Sequence, residues 1–315
     1  MNFSKKHLWT IMLFVMAIGL GLIFAATRKD VPSKDLRAAI VRAEVSDNLS
    51  SASGEKVTID PNTAEDGHLP ERGEEKQALT EEFPKAKSLK GAYLAIVVDD
   101  LGFSYARAEE LAGLKIPLTW AIIPFQRSSK ATAELARNKG IPFLVHVPMQ
   151  AFGDMESQKH LVALSMDDET IRRNVREALK SLPGAIGVNN HRGSAATSDM
   201  RAMRALMEEL RQDNMIFLDS RTAASSVAAI EARKAGIFAL ENGAFIDHLE
   251  DIKFMWSQLE RAAGQAQRRG YAVAICHARP VTLTFLNQLD SNPDIGVKLV
   301  TVDELVRILS KSHGN

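Results

Sequence analysis

Short apolar runs alternate with amphipathic stretches along most of the chain after residue 91. The runs are rich in β-branched residues, and the stretches between them are long enough for helices. This alternation is the signature of βα units that form a parallel sheet. The predicted strands are residues 94–98, 118–123, 142–147, 185–189, 215–218, 236–240, 272–276 and 297–301.

This number of strands favours an α/β fold, a distorted (β/α) barrel of about seven or eight parallel strands. A doubly wound open sheet would give nearly the same pattern, so the pattern leaves barrel closure open. Helix-start signals lie between the strands. Asp167, Asp168 and Glu169 begin one predicted helix at its positive dipole end, and Ser198 and Asp199 begin the next.

The N-terminal part of the chain has a different pattern. Residues 8–26 contain no charged residue and follow Lys5 and Lys6, and a run of this length can span a bilayer. A cleavable signal peptide usually has a shorter apolar region and small residues three positions and one position before the cleavage point. Cleavage after Ala26 would put Phe24 at minus three. We therefore predict an inner-membrane anchor in residues 1–26, with the domain in the periplasm or otherwise extracytoplasmic. A cleaved signal sequence and a secreted protein are the alternative.

Composition separates a linker from a folded domain. Residues 27–90 are rich in Ser, Glu, Asp, Lys and Ala and show no sustained apolar period, which predicts a disordered linker. The folded domain is predicted over residues 91–312. Lys plus Arg and Asp plus Glu number 39 each, so no overall field favours nucleic acid as a partner. Cys276 is the single cysteine, which excludes a disulfide scaffold and cysteine-cluster zinc sites.

Polar residues follow the predicted strands, where parallel α/β folds place their ligand sites. Any one histidine in such a position is more often a structural residue than a functional one. Two imidazoles and a carboxylate on neighbouring strands, however, form an open site of the kind that holds zinc or a similar divalent ion. The strand-end residues are Asp99, Asp100, His146, Asn189, Asn190, His191, Asp219 and His277, and Asp247 and His248 follow the short run 244–246.

Other hydrolytic and nucleotide-binding patterns are absent from the sequence. It contains no Gly-x-Ser-x-Gly turn and no Gly-x-x-x-x-Gly-Lys phosphate loop followed by Ser or Thr. Cys276 and His277 are adjacent in a predicted strand, so their side chains face opposite sides and cannot form a thiolate pair.

Five segments of the domain carry more specific motifs: IVVDDLGF (96–103), HVPMQ (146–150), GVNNHRGS (187–194), FLDSRT (217–222) and ICHARPVT (275–282). In this order they resemble the divergent polysaccharide deacetylases, relatives of the NodB-type carbohydrate esterases, over residues 93–309. The resemblance implies a distorted (β/α) barrel. It also implies a metal-dependent hydrolase acting on N- or O-acetyl groups of an envelope carbohydrate.

The resemblance further implies roles for individual residues. Asp99 would be the catalytic base, and Asp100 and His146 would be metal ligands. His277 would be the general acid that protonates the leaving group. The expected cofactor is a divalent metal, with zinc as the first choice.

The third metal ligand is the point at which this sequence departs from the family pattern. The better-known deacetylases use a histidine four residues after the second ligand, where this chain has Gln150. We expect His191, at the end of the next strand, to replace it.

Three further residues are predicted to support the ligands or bind substrate: Asn190, Asp219 and Arg221. Asp219 either orients an imidazole or the Arg221 side chain, or caps the following helix. Asn190 either binds substrate or holds the loop that carries His191.

The departure at Gln150 also keeps a second function open. A protein that retained the fold and lost turnover would be a non-catalytic carbohydrate-binding or cell-envelope interaction protein. A third possibility is a different metallohydrolase reaction on the same fold, because fold does not fix reaction. In each case the expected partners are a carbohydrate and, through the N-terminal segment, a membrane.

Overall fold

The computed structural model describes residues 91–155, 160–212 and 215–313. Strands and helices alternate along this part of the chain. The strands are β1 (Tyr93–Leu101), β2 (Leu118–Ile122), β3 (Phe143–Met149), β4 (Gly187–Arg192), β5 (Ile216–Asp219), β6 (Ala239–Glu241), β7 (Ala244–Phe245), β8 (Tyr271–His277) and β9 (Lys298–Val300). The helices are α1 (Tyr105–Ala112), α2 (Ser129–Lys139), α3 (Asp168–Ser181), α4 (Met200–Gln212), α5 (Ala228–Lys234), α6 (Ile252–Arg269), α7 (Pro280–Ser291) and α8 (Val302–His313).

Each predicted strand corresponds to an observed one, and β7 is an additional strand of two residues. The predicted helix starts are also present: Asp167 caps α3 by accepting a hydrogen bond from the Thr170 N–H. Asp199 accepts one from the Ala202 N–H at the start of α4. The predicted anchor and linker lie outside the described residues. Within the described ranges, no helix has both the length and the apolar character that crossing a membrane requires.

The strands form one parallel sheet in the order β6-β5-β4-β3-β2-β1-β8-β7, and β9 also pairs with β1. The edge strands β6 and β7 are separated along the chain by only Asn242 and Gly243. These two residues connect the two edges, because the Asn242 N–H donates to the Asp219 carbonyl and the Gly243 N–H to the Val273 carbonyl. The sheet is therefore curled into a distorted half-barrel, which confirms the predicted barrel character over a flat open sheet.

Apolar side chains pack on both faces of this sheet. Leu94, Ile96 and Val98 belong to the core between the sheet and the surrounding helices. Ala95 and Val97 belong to a smaller cluster on the inner face, which also includes residues of α8. Residues of one strand thus alternate between an outer and an inner core, as the period of two of a strand requires.

Candidate metal centre

The candidate site lies at the carboxyl ends of the strands, on the inner face of the curled sheet. Asp99 comes two residues after Val97, and His277 comes two residues after Ile275; both of these apolar residues belong to the inner cluster. Strand alternation therefore directs Asp99 and His277 to the same face. The two residues are also direct partners in the register of β1 and β8.

An irregularity in β1 brings Asp100 to the same site. The register with β2 shifts between Val98 and Leu101, and Asp100 adopts a left-handed backbone with φ of 63°. Regular alternation would direct Asp99 and Asp100 to opposite faces, but a bulge re-aims a side chain. As a result, His146 Nε2 lies 3.5 Å from Asp99 Oδ2 and 3.3 Å from Asp100 Oδ1.

Three potential ligand atoms converge beside this bulge. Asp100 Oδ1 is 2.9 Å from His191 Nδ1 and 3.3 Å from His146 Nε2, and the two imidazole nitrogens are 3.2 Å apart. Ligand atoms held about 2.0 Å from a tetrahedral zinc ion are separated by roughly 3.3 Å. The spacing of the three atoms therefore fits a divalent cation without rearrangement.

Asn189 fixes the orientation of the His146 imidazole. The Asn189 Nδ2 donates to Asp99 Oδ1 at 2.9 Å, and the Asn189 Oδ1 lies 2.9 Å from His146 Nδ1. Because a carboxylate only accepts, the orientation of the amide follows, and Nδ1 of His146 must be the donor to the amide oxygen. The other nitrogen, Nε2, then faces Asp100 and His191, which is the orientation that a metal ligand requires.

Burial and neighbouring charges shift the pKa values of these groups. Burial raises the pKa of Asp99, and this effect exceeds the opposing charges of His146 and His277. Burial also acts to raise the pKa of Asp100, but its hydrogen bonds to His146 and His191 hold that pKa well below its ordinary value. For His146, burial alone would lower the pKa, but Asp99 and Asp100 outweigh it and raise the pKa.

Asp247 holds His277 on the other side of the site. The Asp247 carboxylate accepts a hydrogen bond from the His277 backbone N–H at 2.7 Å and lies 2.8 Å from Nδ1 of the imidazole. The Thr282 hydroxyl donates to the same carboxylate at 2.7 Å. Burial by itself would lower the pKa of His277, but the bond to Asp247 and its charge raise it. This arrangement stabilises the imidazolium and leaves Nε2 as the atom that can donate a proton.

Asn190 faces away from the three ligand atoms, opposite to Asn189. Its Nδ2 donates to the Arg192 carbonyl at 2.7 Å, and its Oδ1 accepts from the Ser220 N–H at 2.8 Å. Asn190 thus connects the end of β4, which carries His191, to the loop after β5.

Asp219 and Arg221 stabilise this same loop. The Asp219 carboxylate accepts from the Arg221 N–H at 2.7 Å and from the Ser226 hydroxyl at 2.6 Å. The Arg221 guanidinium donates to the Ser226 carbonyl at 3.2 Å. The prediction that Asp219 orients an imidazole is wrong in this structure, because alternation in β5 places Asp219 on the outer face with Phe217.

Asn189 and Asp247 hold two of the site's histidines, and no sequence motif assigned them that role. Asp247 follows a predicted apolar run, but only the docking of β7 beside β8 shows that it meets His277. Its neighbour His248 packs against Phe254, with ring centroids 4.4 Å apart, and takes no part in the site.

Gln150, at the position of the usual third ligand, connects loops. Its Oε1 accepts from the Leu164 N–H at 2.8 Å, and its carbonyl accepts from the N–H groups of Ala195 and Ala196. Gln150 thus stabilises the surrounding loops, and His191 is the residue whose imidazole lies beside Asp100.

Comparison with known proteins identifies relatives of similar length. The chain is 30% identical to the YibQ protein of Escherichia coli over 213 residues, which are 68% of this chain and 67% of that protein. It is 33% identical to a protein of Haemophilus influenzae over 214 residues, 68% of this chain and 76% of the relative. Both relatives are described as uncharacterized, so they carry no activity to transfer.

A solved structure shows the same fold. The ATU2773 protein of Agrobacterium tumefaciens superposes with a TM-score of 0.64 at 19% identity, over 69% of this chain and 90% of that one. The family model described as divergent polysaccharide deacetylase matches residues 96–306, which include all the motifs and the candidate ligands. This match confirms the resemblance read from the motifs, and the chain belongs to the divergent polysaccharide deacetylase family.

Proposed function

We propose that the chain is a metal-dependent hydrolase that removes N- or O-acetyl groups from a carbohydrate of the cell envelope. The observation that carries this proposal is the convergence of Asp100, His146 and His191, with Asp99 and His277 beside them. Membership of the family supports the carbohydrate deacetylase class.

Asp100 Oδ1, His146 Nε2 and His191 Nδ1 would hold the ion, which we propose to be zinc because one carboxylate and two imidazoles suit it. When bound, such an ion polarises the acetyl carbonyl and lowers the pKa of water. The hydrogen bond from His146 Nδ1 to the Asn189 amide oxygen would hold the imidazole in the orientation that a metal ligand needs.

Asp99 and His277 are the proposed proton-transfer groups. Asp99 has a pKa raised by burial, so it can accept a proton from the attacking water, and Asn189 fixes its position. His277 would donate its Nε2 proton to the leaving amine or alcohol. Asp247 would stabilise the imidazolium before that transfer, as the acid of a triad does for its histidine.

Metal analysis of the purified chain tests the ligand set. We expect one equivalent of divalent metal in the wild type and in His248→Ala, which removes an exposed histidine outside the site. We expect loss of that metal in His146→Ala and His191→Ala. Full metal content in both ligand variants would exclude the proposed coordination. Release of acetate from acetylated oligosaccharides, measured in parallel, tests the reaction.

The glutamine at position 150 favours a second candidate, a non-catalytic carbohydrate-binding or envelope-interaction protein. Complementation of a deletion strain with Asp99→Asn or His277→Ala separates the two. If both variants fold and restore the biological role fully, turnover is not the function. If both fold and fail, the hydrolase proposal is supported.

We also propose that residues 8–26 anchor the chain in the inner membrane with the domain outside the cytoplasm. The support is the uncharged run itself. Protease treatment of spheroplasts tests the proposal: degradation of the domain is expected, and protection until the membrane is lysed would contradict it.

A further inference from the structure

Two clefts adjoin the candidate metal centre. The larger, about 520 Å³, lies on the His191 side and is lined mainly by apolar and aromatic residues such as Phe125 and Leu161. The smaller, about 210 Å³, lies on the His277 side. Phe103 lines both, so one extended substrate can contact both clefts across the metal centre.

The smaller cleft is basic. Arg107, Arg279 and His277 line it, together with one acidic residue, Asp100. The Asp100 carboxylate already contacts two imidazoles, so its charge is compensated within the metal centre. Two guanidinium groups thus share a cleft of 210 Å³ whose lining provides no further carboxylate.

Both guanidinium groups are fixed in place by main-chain carbonyls. Arg107 Nη1 donates to the Ala278 carbonyl at 2.5 Å, and Arg279 Nη1 donates to the Asp247 carbonyl at 2.9 Å. A carbonyl orients a guanidinium without neutralising it, and each arginine has five N–H donors in total. Among the described residues, one carboxylate forms an ion pair with either guanidinium. It belongs to the exposed Glu250, whose Oε1 is 3.8 Å from Arg279 Nη1.

We infer that this basic cleft binds an anionic group of the substrate, a phosphate or a carboxylate. The planar guanidinium matches both groups with paired hydrogen bonds, and an anion would relieve the repulsion between two fixed cations. The inference rests on the proposed function for the position of the acetyl group, since Asp100 and His277 line the same cleft. It narrows the substrate class to acetylated saccharides that carry a negative charge next to the leaving group.

Inorganic phosphate is the first probe, titrated into chelator-treated protein so that a bound metal ion does not contribute. Phosphorus NMR would give the Kd for the wild type and for Arg107→Gln and Arg279→Gln. We expect each substitution to weaken binding by about tenfold or more, as for loss of a charge-assisted hydrogen bond. Arg307→Gln is the matched control, because Arg307 is an exposed residue of α8 paired with Asp303, and it should bind phosphate as the wild type does.

Equal phosphate affinity in the wild type and both cleft variants would overturn the inference. If a glutamine variant fails to fold, Arg107→Lys replaces it. This substitution keeps the positive charge and removes the planar guanidinium that can form paired hydrogen bonds. Weakened binding by Arg107→Lys then supports the inference, and unchanged binding contradicts it.

Three saccharide probes identify the source of the anion: N-acetylglucosamine, its 6-phosphate and N-acetylmuramic acid. If the 6-phosphate binds more tightly than the neutral sugar and this gain is lost in Arg279→Gln, the anion is a phosphate. The same result with N-acetylmuramic acid supports a carboxylate. No preference over the neutral sugar overturns the inference. Binding is measured without turnover, so this result is independent of whether the metal centre hydrolyses acetyl groups. Hydrolysis with no preference for charged substrates would leave the proposed function in place.

Discussion

Asp99 and His277 are direct partners across the parallel strands β1 and β8, at the last residue that these strands share in register. Their carboxylate and imidazole therefore stand side by side at the carboxyl end of the sheet, with the three ligand atoms next to Asp99. Two side chains fixed by one strand pair keep their separation as long as that pairing persists, and the proposed base and acid are such a pair. This rigidity is what a proton-transfer pair needs.

If Asp99 is the base and Asp100 a ligand, isosteric changes at the two positions should separate catalysis from metal binding. Asp99→Asn should reduce kcat/KM by roughly 10²- to 10⁴-fold, the usual contribution of a positioned base, while metal content stays at the wild-type value. Asp100→Asn should lose metal. Steady-state kinetics with metal analysis on the same preparations is the measurement. Metal loss in Asp99→Asn and retention in Asp100→Asn would reverse the assignment.

Asp247 should control the pH range of activity through His277. A general acid works while it carries its proton, and Asp247 raises the pKa of His277, which extends activity toward higher pH. Asp247→Asn removes that charge, so the pKa of His277 should fall and the alkaline limb of the kcat/KM profile should move to lower pH. An unmoved alkaline limb would mean that another group is the acid. Asp303→Asn, in an exposed pair on α8, is the matched control.

Asn189 should contribute to metal affinity without touching the ion. Asn189→Ala removes the acceptor that holds the His146 Nδ1 proton, so Nε2 is no longer fixed toward the site. Loss of such a supporting bond typically weakens metal affinity by roughly 10- to 100-fold. Competition with a chromophoric chelator measures the change, and Asn287→Ala, on α7, is the control. Equal affinity in the wild type and Asn189→Ala would show that the amide does not position the ligand.

Much of this arrangement follows from strand periodicity alone. The alternation that buries Val97 on the inner face also places Asp99 there, and the same reasoning applies to Ile275 and His277. Sequence could therefore predict which strand ends carry the site. The parallel sheet itself follows from the repeated βα pattern.

Other features depend on one-residue differences in backbone geometry that an apolar pattern does not record. The bulge that turns Asp100 toward His146 is one register shift within a buried run. Asn189 and Asn190 are neighbours of the same residue type. Their different roles depend on which of the two points to the inner face of the sheet in β4. Asp247 follows a strand of two residues, too short to show a period, so its bond to His277 required the docked position of β7.

Close approach of β4 and β5 should make Gly187 indispensable to the site. A Cβ at Gly187 would lie 2.2 Å from the Ile216 carbonyl oxygen, which is backbone and cannot rotate away. Gly187→Ala should therefore separate the start of β4 from β5 and lower the free energy of unfolding by about 3 kcal/mol, as overpacking in a core does.

Gly264→Ala is the matched control, since its Cβ meets only a flexible arginine end in α6. That control should gain about 0.5–1 kcal/mol from helix propensity. Because β4 carries Asn189 and His191, Gly187→Ala should lose metal affinity as well as stability, and urea unfolding with and without zinc measures both. Equal stability of the two alanine variants would show that β4 and β5 are not packed this closely.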